Sequence, residues 1–359
     1  MQPDRDPLFN VLRAYATLQP PKSIERPDIP FSAAHHFLLQ HVLLNPHFND
    51  YPPSRQYQVT FWKWAIGWLE GLMSGEDELD EQIYTHHIEL MSEQAMAVTG
   101  VSLPTPSYVT YLWPSDSGTS GARAVYPGYA NATLLESRTI IEAGTTGLRT
   151  WSASLVLGEY LLSHPELVKG RRVLELGCGI GFLGIVTGSI QVSEGAPNAA
   201  SLWLTDVNGP VLHRCEHNLR LSCNPSHNHH DLNVRLLDWS DAMDPGSLPA
   251  LRAIFRKARP DVILGADLVY APFIIPMLLK ILSVAMVPGN GGPGPAAYFA
   301  LAVRNEDTHR EFLRRAVGVL EIEENSSVMV SENIFTRSPE LGQDASSQVV
   351  RIVKFRRKS

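Results

Sequence analysis

Cysteine, positive charge and long apolar runs are all scarce in this 359-residue chain, and each shortage excludes something. Its three cysteines, Cys178, Cys215 and Cys223, form neither a disulfide framework nor a metal-binding spacing, and they fit a reducing compartment. A net charge of -7 gives no general attraction to nucleic acid or to an anionic membrane. The most apolar long stretch, residues 273–287, is broken by Pro276 and Lys280 and is too short to span a bilayer. The first six residues contain no apolar leader core, so the expected location is the cytoplasm. The acceptor-like triplet Asn131-Ala132-Thr133 then carries no glycosylation signal. The basic end, Lys354, Arg356, Arg357 and Lys358, is expected to be a solvated tail.

What the chain does contain is enough for a large core, with 44% hydrophobic residues against 19% charged. The length suggests two domains, or one with an appendage. Residues 1 to about 135 show no strand–helix alternation. Helices are predicted at 7–18, 33–44, 58–73 and 77–91. In the third, Phe61, Trp64, Ala65, Trp68 and Leu72 share one side; the set is read first as a packing face and second as a docking face. Residues 104–129, rich in Pro, Gly, Ser and Thr, read as a loop or linker.

From Leu134 the pattern changes. Strands are predicted at 172–176, 201–205, 234–237, 261–266, 297–303 and 348–355, with helices at 152–162, 182–190, 210–221, 272–286 and 306–319. Such alternation implies an α/β fold, a parallel sheet covered by helices on both faces. Residues 191–200 and 223–231 read as variable loops. The second carries His227, His229 and His230, which are expected to be solvated; no metal site is expected.

The most informative segment is Val173-Leu174-Glu175-Leu176-Gly177-Cys178-Gly179-Ile180-Gly181-Phe182-Leu183-Gly184. It reads as a buried strand, a glycine-dense turn and a helix start. Glycine turns tightly and admits a ligand where a Cβ would block it. Asp206 ends the next strand, where a carboxylate can accept both hydroxyl hydrogens of a ribose. Gly179, Gly181 and Gly184 also satisfy the G-x-G-x-x-G spacing of dinucleotide binders, so the glycines alone leave the cofactor open. The chain also holds Gly144-Thr145-Thr146-Gly147-Leu148-Arg149-Thr150-Trp151, Leu237-Asp238-Trp239, Asp267-Leu268-Val269-Tyr270 and Val303-Arg304-Asn305.

In that order these segments resemble the seven-stranded class I methyltransferases. Within them they are similar to the cytosolic protein-lysine methyltransferases with an Asp-x-x-Tyr motif, in particular the eukaryotic elongation factor 2 lysine methyltransferases. The resemblance covers residues 136 to about 320 well and the N-terminal region loosely. It implies a Rossmann-like seven-stranded methyltransferase sheet with helices on both faces over residues 136–359, following a mainly helical N-terminal domain, 1–135, that can dock substrate. It also implies S-adenosylmethionine as the cofactor, held by Trp151, Glu175, Gly177, Gly179, Asp206, Asp238, Trp239 and Ala266. Asp238 has two readings, acceptor from the adenine amine or cap of the next turn. Asp267 and Tyr270 would meet the attacking amine; the bland alternative makes Asp267 a helix cap and Tyr270 an edge aromatic. No residue presents itself as a dedicated base. The expected partner is a protein substrate, elongation factor 2, with no nucleic acid or membrane, and a monomer is expected. Competing readings are another methyl acceptor (a lysine or histidine of a different protein, or a small molecule), a nicotinamide-dependent oxidoreductase, and a non-catalytic interaction protein.

Overall fold

Asp6 and Pro7 start the first helix, α1 (Pro7–Ala16): the Asp6 carboxylate accepts from the Leu8 amide at 2.9 Å, and proline at the first position has no amide to leave unpaired. Four more helices follow: α2 (Phe31–Phe37), which runs on through a π-helical turn at Leu38–Leu43, then α3 (Pro46–Asp50), α4 (Arg55–Leu72) and α5 (Glu81–Ala97). The computed structural model describes residues 6–97, 105–115, 124–139, 141–142, 144–192, 200–288, 294–329, 334–335 and 349–358. Residues 116–123 of the expected linker and 193–199 of the first expected loop lie outside them.

Two corrections fall in this region. Inside the expected 104–129 linker lies a strand, β1 (Ser107–Pro114), paired antiparallel with β2 (Tyr129–Glu136). Tyr108 to Trp113 is a β-branched and aromatic run, and that propensity outweighs the turn-forming residues around it. Val109 to Trp113 is buried on both faces, so no period of two marks the strand. The aromatic set of α4 is core: Phe61 and Trp68 are buried, Phe61 lies 4.6 Å from the Tyr15 ring, and Trp64 is half-buried against Trp68. Those side chains are taken up by packing, and the docking reading of that face is withdrawn.

The chain divides into two units at residue 140. The second holds helices α6 (Ser152–Ser163), α7 (Phe182–Val192), α8 (Gly209–Leu219), α9 (Leu248–Ala258), α10 (Ile274–Ala285) and α11 (Glu306–Val319). Its strands are β3 (Arg172–Leu176), β4 (Ser201–Asp206), β5 (Leu232–Leu236), β6 (Val262–Ala266), β7 (Ala296–Ala302), β8 (Leu320–Met329) and β9 (Val349–Arg357). They form one sheet in the order β5-β4-β3-β6-β7-β9-β8. The first five run parallel, whereas β9 is antiparallel to both neighbours. Leu174, Leu176, Ile263 and Phe299 face a core completed by α9, α10 and α11. On the other face α6 and α7 pack against the sheet, with Gly184 close against Leu204 and Gly158 against Phe182.

Three expectations need revision here. The helix α9 and the strand β8 were not expected. The β8 sequence, Leu320-Glu-Ile-Glu-Glu-Asn-Ser-Ser-Val-Met329, is polar because it forms the sheet edge, where one side of the ladder meets no partner strand. The basic end is no solvated tail. All of it but Lys358 lies in β9, where Lys354 and Arg356 pair with Glu323 at 2.8 and 3.5 Å.

The strand order reverses at β3: β4 and β5 lie on one side of it, β6 and β7 on the other. That reversal opens a crevice at the carboxyl ends of β3, β4 and β6. At the opposite end, Arg172 on β3 clamps Asp261 before β6: its amide and Nε donate to Oδ2 at 2.9 and 3.1 Å.

Candidate functional site

Leu176 ends β3, and the next residue turns left-handed: Gly177 has φ 65°. A Cβ there would stand 2.7 Å from Leu268 Cδ2 and 3.6 Å from the Trp239 ring, so this position requires glycine on grounds of both conformation and space. Trp239 is packed against the sheet core and closes over the Gly177 backbone. Asp238, just before it, accepts from the Ser240 amide at 2.8 Å through Oδ1 and so caps the short turn Trp239–Met243.

Asp206 stands at the end of β4. Its Oδ2 accepts from the Gly179 amide at 3.2 Å and its Oδ1 from the Asn208 amide at 3.1 Å. The strand end and the glycine loop are thus locked together. Burial raises the Asp206 pKa, while the Asn208 and Gly179 amides counter the rise. Beside it, Glu175 is 3% exposed, and its Oε2 has no hydrogen-bond partner. Burial first, then the Asp206 charge, pushes the Glu175 carboxyl well above its ordinary pKa. A buried, orphaned carboxyl oxygen is costly in a fold with no further use for it.

A cleft runs over these groups, lined by Arg149, Trp151, Ser154, Glu175, Gly177, Gly179 and Ala266. Arg149 contributes a second orphan: its Nε is buried and unpaired. The cleft therefore offers a carboxyl oxygen of Glu175 and an N–H of the Arg149 guanidinium without hydrogen-bond partners, the guanidinium itself lying 5.4 Å from the Trp151 ring. Trp151 precedes α6, its Nε1 donating to the Thr146 carbonyl at 3.0 Å.

Ala266 ends β6 and lines the cleft; the chain then turns at Asp267, whose φ is 57°. Outside glycine and asparagine such a conformation is uncommon and aims the side chain away from the strand's alternation. The Asp267 amide donates to Ala300 on β7. Its Oδ2 accepts from Arg304 Nη2, and the Arg304 guanidinium lies over the Trp151 ring at 4.7 Å. Asp267 caps no helix: α10 begins at Ile274, with no side-chain cap. Burial raises the Asp267 pKa to about 6, against the pull of Arg304. Tyr270 follows on the same loop. It is 59% exposed and lies edge-on to Phe273 at 6.3 Å.

The residues that the sequence assigned to the cofactor and the acceptor amine therefore collect at one edge of the sheet, the carboxyl ends of β3, β4, β5 and β6. Arg149, Arg304 and Phe273 join them, and sequence reasoning gave none of the three a role. Arg304 carried a signal, because it follows β7, the parallel neighbour of β6, at the same sheet edge. Asn305 instead caps α11, accepting from the Asp307 and Thr308 amides at 2.9 and 3.0 Å.

Of the remaining candidates, Cys178 lies in the glycine loop and lines the cleft, and the others lie elsewhere. Cys178 and Cys215 are buried with their sulfurs 3.7 Å apart and reduced. His229 bonds Gln191 and His227 bonds the Arg220 carbonyl. Among the described residues, no three metal-ligating side chains converge, and no helix is long and apolar enough to cross a membrane.

A family model described as lysine methyltransferase matches residues 135–316. The protein-lysine N-methyltransferase EEF2KMT of Bos taurus is 28% identical over 292 residues, covering 77% of this chain and 75% of its own length. The protein-lysine N-methyltransferase EFM3 of Chaetomium thermophilum is 34% identical over 196 residues, 50% of each chain. Among solved structures, an arsenic(III) S-adenosylmethionine methyltransferase from Chlamydomonas reinhardtii is 14% identical, with a TM-score of 0.32 over 54% of this chain and 64% of its own.

Proposed function

The chain belongs to the lysine methyltransferase family, with S-adenosylmethionine as its cofactor, and from that premise we propose that it methylates a lysine of translation elongation factor 2. One observation carries the choice of substrate. The match to EEF2KMT covers 77% of the chain, whereas residues 135–359 make up less than two thirds of it. The likeness therefore extends into the N-terminal unit, beyond what cofactor binding alone requires. Elongation factor 2 works in the cytoplasm, which is then the compartment of this enzyme.

The cleft suits the cofactor's chemistry. The cofactor ends in an amino-acid zwitterion, and the two orphaned groups have the complementary signs: Glu175 for the ammonium and Arg149 for the carboxylate. Asp206 retains acceptor capacity for the ribose hydroxyls. Trp239, held against Gly177, gives the adenine a flat apolar wall. When bound, the cofactor supplies an electrophilic methyl group on a sulfonium. Ala266, the last residue of β6, lets the acceptor approach with no side chain larger than a methyl in the way. Asp267 accepts a hydrogen bond from the acceptor amine and orients its lone pair, and Tyr270, on the exposed side, narrows the entrance with its ring and hydrogen-bonds the amine through its hydroxyl.

The test is a labelled-methyl assay on extract from cells that lack the enzyme, followed by mass spectrometry of the modified residue. A single labelled protein of the size of elongation factor 2, modified on lysine, is the expected result. Label on a different protein, or on histidine, would overturn the substrate assignment.

A further inference from the structure

The acceptor side of the cleft already contains a cation. Arg304 joins two residues there: its Nη2 donates to Asp267 Oδ2, and its guanidinium carbon lies 4.7 Å from the centre of the Trp151 ring. The other Asp267 oxygen, Oδ1, carries no hydrogen bond among the described residues. A methyl acceptor must be a neutral amine, yet a free lysine with a pKa of ~10.4 arrives almost entirely as the ammonium. An unpaired buried carboxylate would hold that ammonium tightly as an ion pair, with no lone pair left to attack. We propose that Arg304 is a positioning residue that neutralises Asp267, so that the acceptor site takes the neutral amine through Oδ1 and rejects its ammonium form. This rests on the assignment of Asp267 to the acceptor amine.

The charge count supports it. With Arg304 in place, the Asp267–Arg304 pair is neutral, and an arriving ammonium finds no counter-charge there. Asp267 is also kept an acceptor: its buried carboxyl reaches a pKa of about 6 even with Arg304 pulling it down. Without the guanidinium it would protonate more readily and offer a donor where an acceptor is needed. Ionisable groups around this edge include Asp206 at the end of β4, Glu175 on β3, Arg149 before α6, Asp238 after β5, Tyr270 on the same loop, and Glu306 and Asp307 at the start of α11, with Arg351 of β9 paired to Glu306 at 3.7 Å. Among the described residues, only Arg304 pairs with the Asp267 carboxylate. In the transfer, the amine nitrogen forms a bond to the methyl carbon and the carbon–sulfur bond breaks with its electron pair passing to sulfur. Positive charge thus moves from sulfur to nitrogen, and the nitrogen then loses its extra proton to water. A product cation beside a neutral ion pair is free to leave.

The probe is butyltrimethylammonium, a permanent cation of lysine-like shape, titrated calorimetrically into the full chain. The wild type should bind it weakly at all pH values. Arg304→Gln should bind at least about tenfold more tightly at about pH 9, because the Asp267 carboxylate is released, although Arg149 still lies 5.4 Å from the Trp151 ring. In that variant the affinity should fall as pH drops through the Asp267 pKa. Arg304→Lys should remain near wild type, and Arg304→Gln with Asp267→Asn should lose the gain. Arg304 is half-exposed, so these changes leave the core intact; Arg304→Met, which keeps the stem on Trp151, is the second variant should Gln misfold. The methylation rate of Arg304→Gln should also need a higher pH than wild type. Unchanged ammonium affinity and an unmoved pH profile would overturn the role of Arg304. Normal turnover in Asp267→Asn would instead overturn the acceptor-site assignment on which it rests.

Discussion

At the scale of single residues, the site is defined by polar groups left incomplete. Asp206 satisfies the Gly179 and Asn208 amides and still has lone pairs to give. Asp206→Ala should weaken S-adenosylmethionine binding by more than about tenfold, since charge-assisted hydrogen bonds contribute about 1.5–3 kcal/mol each. Equilibrium binding to the folded variant measures this, and unchanged affinity would contradict the site. Glu175 makes a second prediction. Its pKa is raised in the free protein by burial and by Asp206, and a bound cation must lower it. Between those two values binding releases a proton, so cofactor affinity should rise with pH across that window. Calorimetry over a series of pH values, in two buffers of different ionisation heat at each, reads the released proton directly. Asp267→Ala and Tyr270→Phe should behave differently from Asp206→Ala, lowering turnover more than cofactor affinity, because these groups are assigned to the amine. A collapse of cofactor binding with normal residual turnover would reverse the roles.

At the scale of elements, the crevice exists because β3 and β6 are neighbours, and Arg172 with Asp261 ties them together at the end away from the site. Burial raises the Asp261 pKa, but the side-chain and amide hydrogen bonds from Arg172 outweigh it, leaving the net pKa lowered. A depressed carboxylate pKa contributes stability that is present above the unfolded value of ~3.9 and is lost as pH falls through the folded value. Asp261→Asn should therefore destabilise the fold near neutral pH by about 1–2 kcal/mol, since both groups are a third exposed and screened by solvent. The difference from wild type should shrink in acid. Denaturant titrations at about pH 7 and about pH 3 test the sign. A difference that is constant with pH would mean that the pair contributes through packing alone.

For the whole molecule, each unit carries its own core: Phe61, Trp62 and Trp68 in the first, the two faces of the seven-stranded sheet in the second. Every group assigned to the cofactor lies between Arg149 and Ala266, within the second unit. We therefore expect a chain lacking residues 1–135 to keep S-adenosylmethionine binding and to lose most methylation of the folded protein substrate. Lysine is a common side chain, so selecting one of them requires surface beyond the cleft. Calorimetry and the labelled-methyl assay on the same preparation separate the two effects. Full-length rates from the shortened chain would remove the N-terminal unit from substrate recognition.

Local chemistry made much of this legible. The glycine spacing after Glu175, the aspartate closing the next strand and the alternation from Leu134 onward identify a parallel sheet and its ligand edge, because strand ends and tight turns are written in adjacent residues. Elements without a local signature were not legible. The strand β1 is buried on both faces and has no alternation, and β8 is a polar edge; β9 was predicted, but its basic end looked like a charged tail until Glu323 supplied its partner. The functional pairings are of the same kind. Arg304 lies 37 residues from Asp267 and reaches Trp151 only because β6 and β7 end side by side. The orphaned Glu175 and Arg149 become complementary only inside one cleft. A sequence determines which residues carry charge and where the chain can turn; which charges remain unpaired depends on burial and on neighbours far away in the chain, and only the tertiary structure decides that.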